Sequence, residues 1–250
     1  MLFFKKKKVM HASDEVDTSR ILSDSSSFAV KEAFRTLYTN VLYLPIEDKC
    51  KKIAVTSSFP GEGKTYLSAN LAITLAQNSD NKKILLVDLD FRKRRISKLL
   101  KQNIVLNPNK NGLSEYLVGI DETINVCETN IANLSVVLSG GECPNPAALI
   151  NSTRFENLIK EFSKDFDYII FDTPPINVVS DALLLEKHIN GFIISARSEY
   201  SNINDLSATI SNLEKIKANI FGIVLTDVEP KSTTTHGKKY GNYKYKYNYS

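Results

Sequence analysis

The sequence predicts an α/β fold in which helices cover both faces of a mostly parallel sheet. Six short apolar runs, each of strand length, alternate with stretches of helical periodicity. Such alternation is typical of strand–helix–strand units. The chain has 250 residues, of which 42% are hydrophobic and 24% charged, so one globular domain can bury a sizeable core.

The predicted elements begin at residue 28. An amphipathic helix runs from Phe28 to about Leu44, and Pro45 closes it. The predicted strands are Ile53–Thr56, Ile84–Val87, Leu134–Leu138, Tyr168–Phe171, Phe192–Ala196 and Ile220–Leu225. The predicted helices span 64–79, 146–163, 180–189 and 203–218. The segment 101–133 has no readable pattern.

The two ends of the chain differ in composition from the middle. Residues 1–27 are polar and rich in Ser and Asp, which predicts a flexible leader before a domain at 28–230. Residues 231–250 have almost no aliphatic side chain, cannot bury a core, and are predicted to be a disordered tail.

Charge is distributed unevenly along the chain. Residues 1–8 carry four lysines, Lys5–Lys8, and no acid, and residues 231–250 carry five lysines and no acid. Residues 9–230, in contrast, carry 23 basic and 28 acidic side chains, a net charge of −5. This distribution argues against a broad nucleic-acid surface, and no nucleic-acid partner is expected. Lys5–Lys8 is either a solvated end or a point of attraction to an anionic membrane.

We expect a cytoplasmic protein. No apolar run approaches the ~18–20 residues that span a bilayer, and the start has no long apolar stretch after its lysines, so it is not a secretory signal. The three cysteines and three histidines are scattered without metal-ligand spacing. A reducing compartment suits the cysteines, and no His/Cys metal site is predicted.

A phosphate-binding loop is predicted between the first strand and the next helix. Ser58–Thr65 reads SFPGEGKT, in the context that a P-loop requires, although Ser58 stands where the strict pattern has its first Gly. Gly61 and Gly63 allow backbone N–H groups to turn towards phosphates, and the helix start adds partial positive charge. Lys64 would contact the β- and γ-phosphates of ATP, and Thr65 would bind Mg²⁺. The other predicted nucleotide contacts are Pro60, Gly61, Glu62, Gly63 and Tyr66.

Carboxylates follow two further strands. Asp88 and Asp90 end one apolar run, and Asp172 ends another. Because ligands of open parallel sheets bind at the carboxyl ends of the strands, these acids are expected to converge on the loop. One or two carboxylates suit Mg²⁺, which keeps several waters. Alternatively, they are only the first residues of loops.

These motifs resemble those of the bacterial tyrosine kinases of capsular and exopolysaccharide operons. SFPGEGKT is similar to the family's Walker A motif, ILLVDLDFR to its additional A′ motif and YIIFDTPP to its Walker B motif. The resemblance implies a P-loop NTPase-type fold and an ATP- and Mg²⁺-dependent protein-tyrosine kinase. Lys64 would then bind the phosphates, and Thr65, Asp90 and Asp172 would bind the metal ion and its waters. Asp88 would accept the tyrosine proton, with Asp90 as the alternative.

Further segments extend the resemblance. KEAFRTLYTN is similar to the family's E-x-x-R-x-x-R-x-N segment, which implies a ring of subunits in contact through Glu32, Arg35 and Asn40; Tyr38 replaces the second Arg. GIVLTDV resembles the last strand, with Thr226 in place of Asn. The implied partners are a separate membrane-spanning activator of the polysaccharide co-polymerase type, which recruits the kinase to the inner face of the membrane, and a cognate tyrosine phosphatase.

The tail is the implied phosphate acceptor. Its five tyrosines are Tyr240, Tyr243, Tyr245, Tyr247 and Tyr249. The resemblance implies their phosphorylation by a neighbouring subunit and a role in polysaccharide synthesis or export. Interleaved lysines also permit a tail that stacks on nucleic acid or lies at a membrane interface.

Two other functions stay open. ATPases of the partitioning and division-site type share this strand order, but they carry a second Lys where this chain has Phe59. A non-catalytic nucleotide-binding regulator, with a tail modified by another kinase, is the second alternative.

Overall fold

The computed structural model describes residues 16–105 and 111–228. Its strands are β1 Lys51–Ser57, β2 Ile84–Asp88, β3 Cys127–Glu128, β4 Leu134–Val137, β5 Tyr168–Asp172, β6 Gly191–Arg197 and β7 Ile220–Thr226. Its α-helices are α1 Phe28–Leu42, α2 Lys64–Asn78, α3 Ile96–Leu99, α4 Leu113–Val118, α5 Pro146–Ile150, α6 Thr153–Asp165 and α7 Ile203–Lys215. Short 3₁₀ helices span Thr18–Arg20 and Asp181–His188.

The seven strands form one sheet in the order β3-β4-β2-β5-β1-β6-β7. All pairs are parallel except the short edge strand β3, which runs antiparallel to β4. The predicted, mostly parallel sheet with helices on both faces is therefore confirmed. β2 and β5 are buried along their whole length, as expected for central strands covered on both sides.

Two apolar cores lie on opposite faces of the sheet. Ile53 and Val55 of β1 pack into the core that contains α2 and the buried side of α1. Ala54, between them, belongs to the core with α6 and α7. This alternation follows from the two-residue period of a strand. Because α1 packs on the outer side of α2, α2 is buried over most of its length.

Two stretches differ from the sequence prediction. The helix predicted at 146–163 is two helices, α5 and α6, because the Ser152 hydroxyl accepts the backbone N–H of Phe155 at 3.1 Å and begins a new helix. The unreadable stretch 101–133 contains α4 and β3.

The predicted leader is also corrected, because its last part belongs to the folded domain. Ile21 is 8% exposed and lies in the core beside α2. The Asn70 side chain accepts the backbone N–H of Leu22 at 2.8 Å and donates to the carbonyl of Arg20 at 2.9 Å. Apolar packing and hydrogen bonds to Asn70 thus anchor 16–22 to α2. Residues 1–15 and the tail at 231–250 lie outside the described residues, which include no helix long and apolar enough to cross a membrane.

Candidate active site

The loop between β1 and α2 has the backbone of a phosphate cradle. Gly61 and Gly63 adopt φ values of +91° and +86°, in the left-handed region that glycine tolerates best. Gly63 also begins α2, and a Cβ there would lie 2.8 Å from the Thr226 hydroxyl oxygen. Ser58, at the position of the missing first Gly, is buried and accepts a hydrogen bond from Thr209 of α7 at 2.8 Å.

Glu62 holds this loop in shape. Its side chain is 2% exposed, and the carboxylate accepts the backbone N–H of Phe59 at 2.9 Å and the Ser201 hydroxyl. Its backbone carbonyl accepts hydrogen bonds from the hydroxyls of Ser195 and Thr226. The ends of β6 and β7 therefore fix the loop before any ligand binds.

Lys64 occupies a buried ionic cluster at the carboxyl edge of the sheet. Its ammonium lies 2.8 Å from Asp90 and 3.7 Å from Asp172, and all three side chains are almost completely buried. Burial opposes the charge on Lys64, but Asp172, Asp90 and Asp88 together raise its pKa. Burial likewise opposes ionisation of Asp90, yet Lys64 and nearby backbone N–H groups hold its pKa below the ordinary value.

Of the three carboxyl groups in the cluster, Asp88 is the one whose ionised form is least favoured. It lies beside Asp172 in the β2–β5 register, accepts the backbone N–H of Asp90 at 3.1 Å, and accepts the Ser139 hydroxyl at 3.4 Å. Burial raises its pKa well above the usual range, and the charges of Asp172 and Asp90 raise it further. A carboxyl with such a pKa accepts a proton more readily than an ordinary aspartate.

The residues at the helix start fit a magnesium ion. Asp172 Oδ2 is buried without a hydrogen-bond partner, while Oδ1 accepts the Ser68 hydroxyl at 3.1 Å. Burial raises the pKa of Asp172. A cation beside Oδ2 would satisfy that oxygen. The Thr65 hydroxyl is close by, because it accepts a hydrogen bond from the Lys64 ammonium at 3.4 Å and hydrogen-bonds to Asp172. Within the described ranges, no three His, Cys, Asp or Glu side chains form a complete metal cage; Mg²⁺ requires none, because waters and phosphate oxygens complete its shell.

The remaining predicted site residues are Pro60, Tyr66 and the tail tyrosines, and they lie in different parts of the chain's structure. The Pro60 carbonyl accepts the Tyr200 hydroxyl at 3.1 Å. The Tyr66 hydroxyl accepts the backbone N–H of Asp17 at 2.9 Å, so its side chain contacts the segment before α1. The tail tyrosines lie outside the described residues.

The predicted interface residues lie on α1. Glu32 and Arg35 pair with each other at 2.6 Å on its exposed face, and Asn40 is exposed. The Tyr38 hydroxyl donates to the Asn78 carbonyl at 2.7 Å, which ties α1 to the end of α2. Subunit contact through this face stays a prediction.

Sequence reasoning missed several residues of the site. Ser68 follows Lys64 by one helical turn, so helical spacing could have identified it. Ser139, Ser195 and Ser201 carried no such signal, because small polar residues at strand ends and in loops are common. Only the sheet order brings them to the loop and to Asp88.

Comparisons with known proteins agree with this geometry. The profile of the AAA domain family matches residues 50–225. "Tyrosine-protein kinase CpsD" of Streptococcus agalactiae is 36% identical over 214 residues, which are 85% of this chain and 89% of the relative. "Putative tyrosine-protein kinase CapB" of Staphylococcus aureus is 30% identical over 220 residues, 87% of this chain and 93% of the relative.

A solved structure shares the whole architecture. The kinase domain of the Escherichia coli tyrosine kinase ETK superposes with a TM-score of 0.76 at 27% identity. The superposition covers 94% of this chain and 89% of that domain.

Proposed function

This chain belongs to the family of bacterial tyrosine-protein kinases, and we propose that it transfers the γ-phosphoryl group of ATP to tyrosines of its own C-terminal tail. The observation that carries the proposal is the convergence of Lys64 with three strand-end aspartates beside a phosphate loop. Phosphoryl transfer depends mainly on positioning and on stabilisation of negative charge, and this arrangement supplies both.

ATP is bound by the loop and the start of α2. The backbone N–H groups of 61–66 would face the phosphates, and Lys64 would move from its carboxylate partners to the β- and γ-phosphates. Thr65, Asp90 and Asp172 would hold Mg²⁺ and its waters, and the buried Oδ2 of Asp172, which has no hydrogen-bond partner, supports this assignment. When bound, Mg²⁺ neutralises charge on the phosphate oxygens.

Asp88 accepts the proton of the attacking tyrosine hydroxyl. The tyrosine oxygen forms the new bond to phosphorus as the bond to the ADP oxygen breaks, and the hydroxyl proton passes to Asp88. Burial beside Asp172 and Asp90 raises its pKa, which supports this role because a more basic carboxylate takes up the hydroxyl proton more readily. Asp90 suits the role less, because it is assigned to the metal and because the backbone N–H groups of Lys93 and Arg92 help to hold its pKa below the ordinary value.

The acceptors are Tyr240, Tyr243, Tyr245, Tyr247 and Tyr249 of a neighbouring subunit. Glu32, Arg35 and Asn40 lie on the solvent-facing side of α1, where Glu32 is partly exposed and the other two are exposed, and they form the contact between subunits of a ring. The biological role is regulation of capsular or exopolysaccharide synthesis. A separate membrane-spanning activator recruits the cytoplasmic kinase to the inner membrane face, and a cognate phosphatase reverses the modification.

A mixing experiment tests the proposal. A Lys64→Met chain with an intact tail is incubated with labelled ATP and an active chain truncated before Tyr240. Phosphotyrosine is expected on the Lys64→Met chain only when the truncated partner is present. If full-length wild type releases phosphate from ATP without labelling tyrosine, the kinase assignment fails. If wild type is labelled but the mixture is not, transfer occurs within one chain.

A further inference from the structure

A basic cavity lies beside Asp88, at the carboxyl ends of β2 and β4. Its volume is about 880 Å³. Five basic side chains line it: Arg92, Lys93, Arg94, Arg95 and Lys98. Its one acid among the described lining residues, Glu115, is engaged by the backbone N–H groups of Gly112 and Gly141 and by the Ser114 hydroxyl. The cavity wall is therefore strongly positive, although residues 9–230 carry a net charge of −5.

Part of this positive charge is available to a ligand. Arg92 pairs with Asp181 at 3.0 Å, and Arg94 donates to the Gly140 carbonyl at 3.3 Å. Lys93 and Lys98 are exposed, and within 16–105 and 111–228 neither has a carboxylate partner. Arg94 adopts φ +36°, which is rare for a residue with a side chain. The turn that holds it is fixed by Asp90, whose carbonyl accepts the Arg94 backbone N–H at 2.9 Å.

Two short links join the cavity to the reaction centre. Ser139 lines the cavity and donates to Asp88. Lys93 also lines it, and its backbone N–H donates to the Asp90 carboxylate, which contacts Lys64. An anion in the cavity would thus lie next to the position of the attacking tyrosine.

We propose that this cavity is a second substrate subsite, which binds a phosphotyrosine already formed on the tail of a second copy of this chain. The inference rests on the proposed function and deepens it. Arg and Lys side chains are the usual partners of phosphate oxygens, and a cavity with several of them suits a dianion. With one phosphotyrosine bound there, the next tyrosine of the same tail reaches Asp88.

Tail chemistry favours this occupant. Before modification, residues 231–250 have five lysines and no acid, so the cavity repels them. Each phosphate adds roughly −1.5 to −2 charges, which reverses the interaction. Four of the five tail tyrosines are two residues apart, at 243, 245, 247 and 249. Extended chain covers about 7 Å in two residues, a short step between neighbouring subsites.

A binding assay tests the subsite independently of kinase activity. The phosphatase-treated full-length chain is titrated into fluorescent peptides of residues 238–250 at pH 7.5 and constant salt, with fluorescence anisotropy as the readout. One peptide is unphosphorylated, one is phosphorylated at all five tyrosines, and one is an acidic peptide of equal net charge without phosphate. The variant Lys93→Gln with Lys98→Gln removes two cavity charges. The matched control, Lys49→Gln with Lys215→Gln, removes two charges near the amino-terminal ends of β1 and β7, whereas the cavity lies at the carboxyl ends of the strands.

The phosphopeptide is expected to bind at least about tenfold more tightly than either other peptide, because charge-assisted bonds to phosphate are strong. The cavity variant should weaken that binding roughly tenfold, and the control variant should leave it within about twofold. Equal binding of the acidic peptide would assign the cavity to acidic proteins instead. Equal losses in the two variants, or no loss in the cavity variant, would overturn the proposal. None of these results depends on phosphoryl transfer, so a failed subsite and a failed kinase assignment are distinguishable.

Discussion

Replacing Lys64 with Met should destabilise the nucleotide-free protein as well as abolish phosphotyrosine. The Lys64 ammonium is the cation that lies between the buried carboxylates of Asp90 and Asp172, at 2.8 and 3.7 Å. Methionine fills similar space without charge, so the carboxylates lose their counter-ion. Removing one partner of a buried pair typically costs about 3–5 kcal/mol, because the other charge stays buried and uncompensated.

The loss should depend on pH. Lys64 helps to hold the pKa of Asp90 below its ordinary value of 3.8, so this stabilisation is present at neutral pH and disappears as the pH falls through that range. The difference between wild type and Lys64→Met should therefore persist down to about pH 4 and shrink as the pH falls below it. Urea denaturation of the nucleotide-free proteins at several pH values measures the free energy of unfolding directly.

The chain offers a matched control. Lys82 and Asp167 also pair at 2.8 Å, but the Lys82 side chain is 52% exposed, against 9% for Lys64. Lys82→Met should cost only about 0.2–1 kcal/mol, the usual value of a surface pair. Asp90→Asn should recover part of the loss in the Lys64→Met background, because it removes one uncompensated charge. Equal unfolding midpoints for Lys64→Met and Lys82→Met at neutral pH would refute the reasoning.

Three further predictions follow from the same geometry. Asp88→Asn should abolish transfer yet stabilise the nucleotide-free protein at pH 7.5 by on the order of 1 kcal/mol. Because the pKa of Asp88 is raised, its ionisation lowers the stability of the wild type, so the gain should vanish near pH 4. A loss of stability at pH 7.5 in urea denaturation would contradict this. Asp172→Asn should weaken Mg²⁺-ADP binding by calorimetry more than Asp88→Asn does, by roughly tenfold, because only Asp172 has a buried oxygen open to the metal. The double variant Glu32→Ala with Arg35→Ala should slow transfer between chains severalfold. The matched control, Glu156→Ala with Lys160→Ala on the exposed face of α6, should leave the rate unchanged. Equal rates for the two double variants would exclude α1 from the subunit contact.

The sequence predicted the site where a motif combined residue type with position. The run from Ser58 to Thr65 needed glycines for its backbone and a helix after it, and the structure has both. Asp88, Asp90 and Asp172 were expected to converge because parallel strands end at one edge, and the register pairs Asp88 with Asp172. The leader boundary was wrong because Ile21 and Leu22 are only two apolar residues among polar ones, and the burial of Ile21 depends on the surface of α2.

Sequence alone determined the fold class, the phosphate loop and the family, because local periodicity and short motifs carry that information within a few neighbouring residues. Tertiary structure decided which side chains surround them. The Lys64–Asp90 pair spans 26 residues, the Ser139–Asp88 contact spans 51, and the Thr226–Glu62 contact spans 164. The basic side chains from Lys93 to Lys98 match no motif in the sequence, and only the folded chain, with the residues after β4 and at the start of α4, makes them one wall of a cavity. Contacts between distant residues depend on strand order and on the way the two helical layers pack, and neither is encoded in the local pattern.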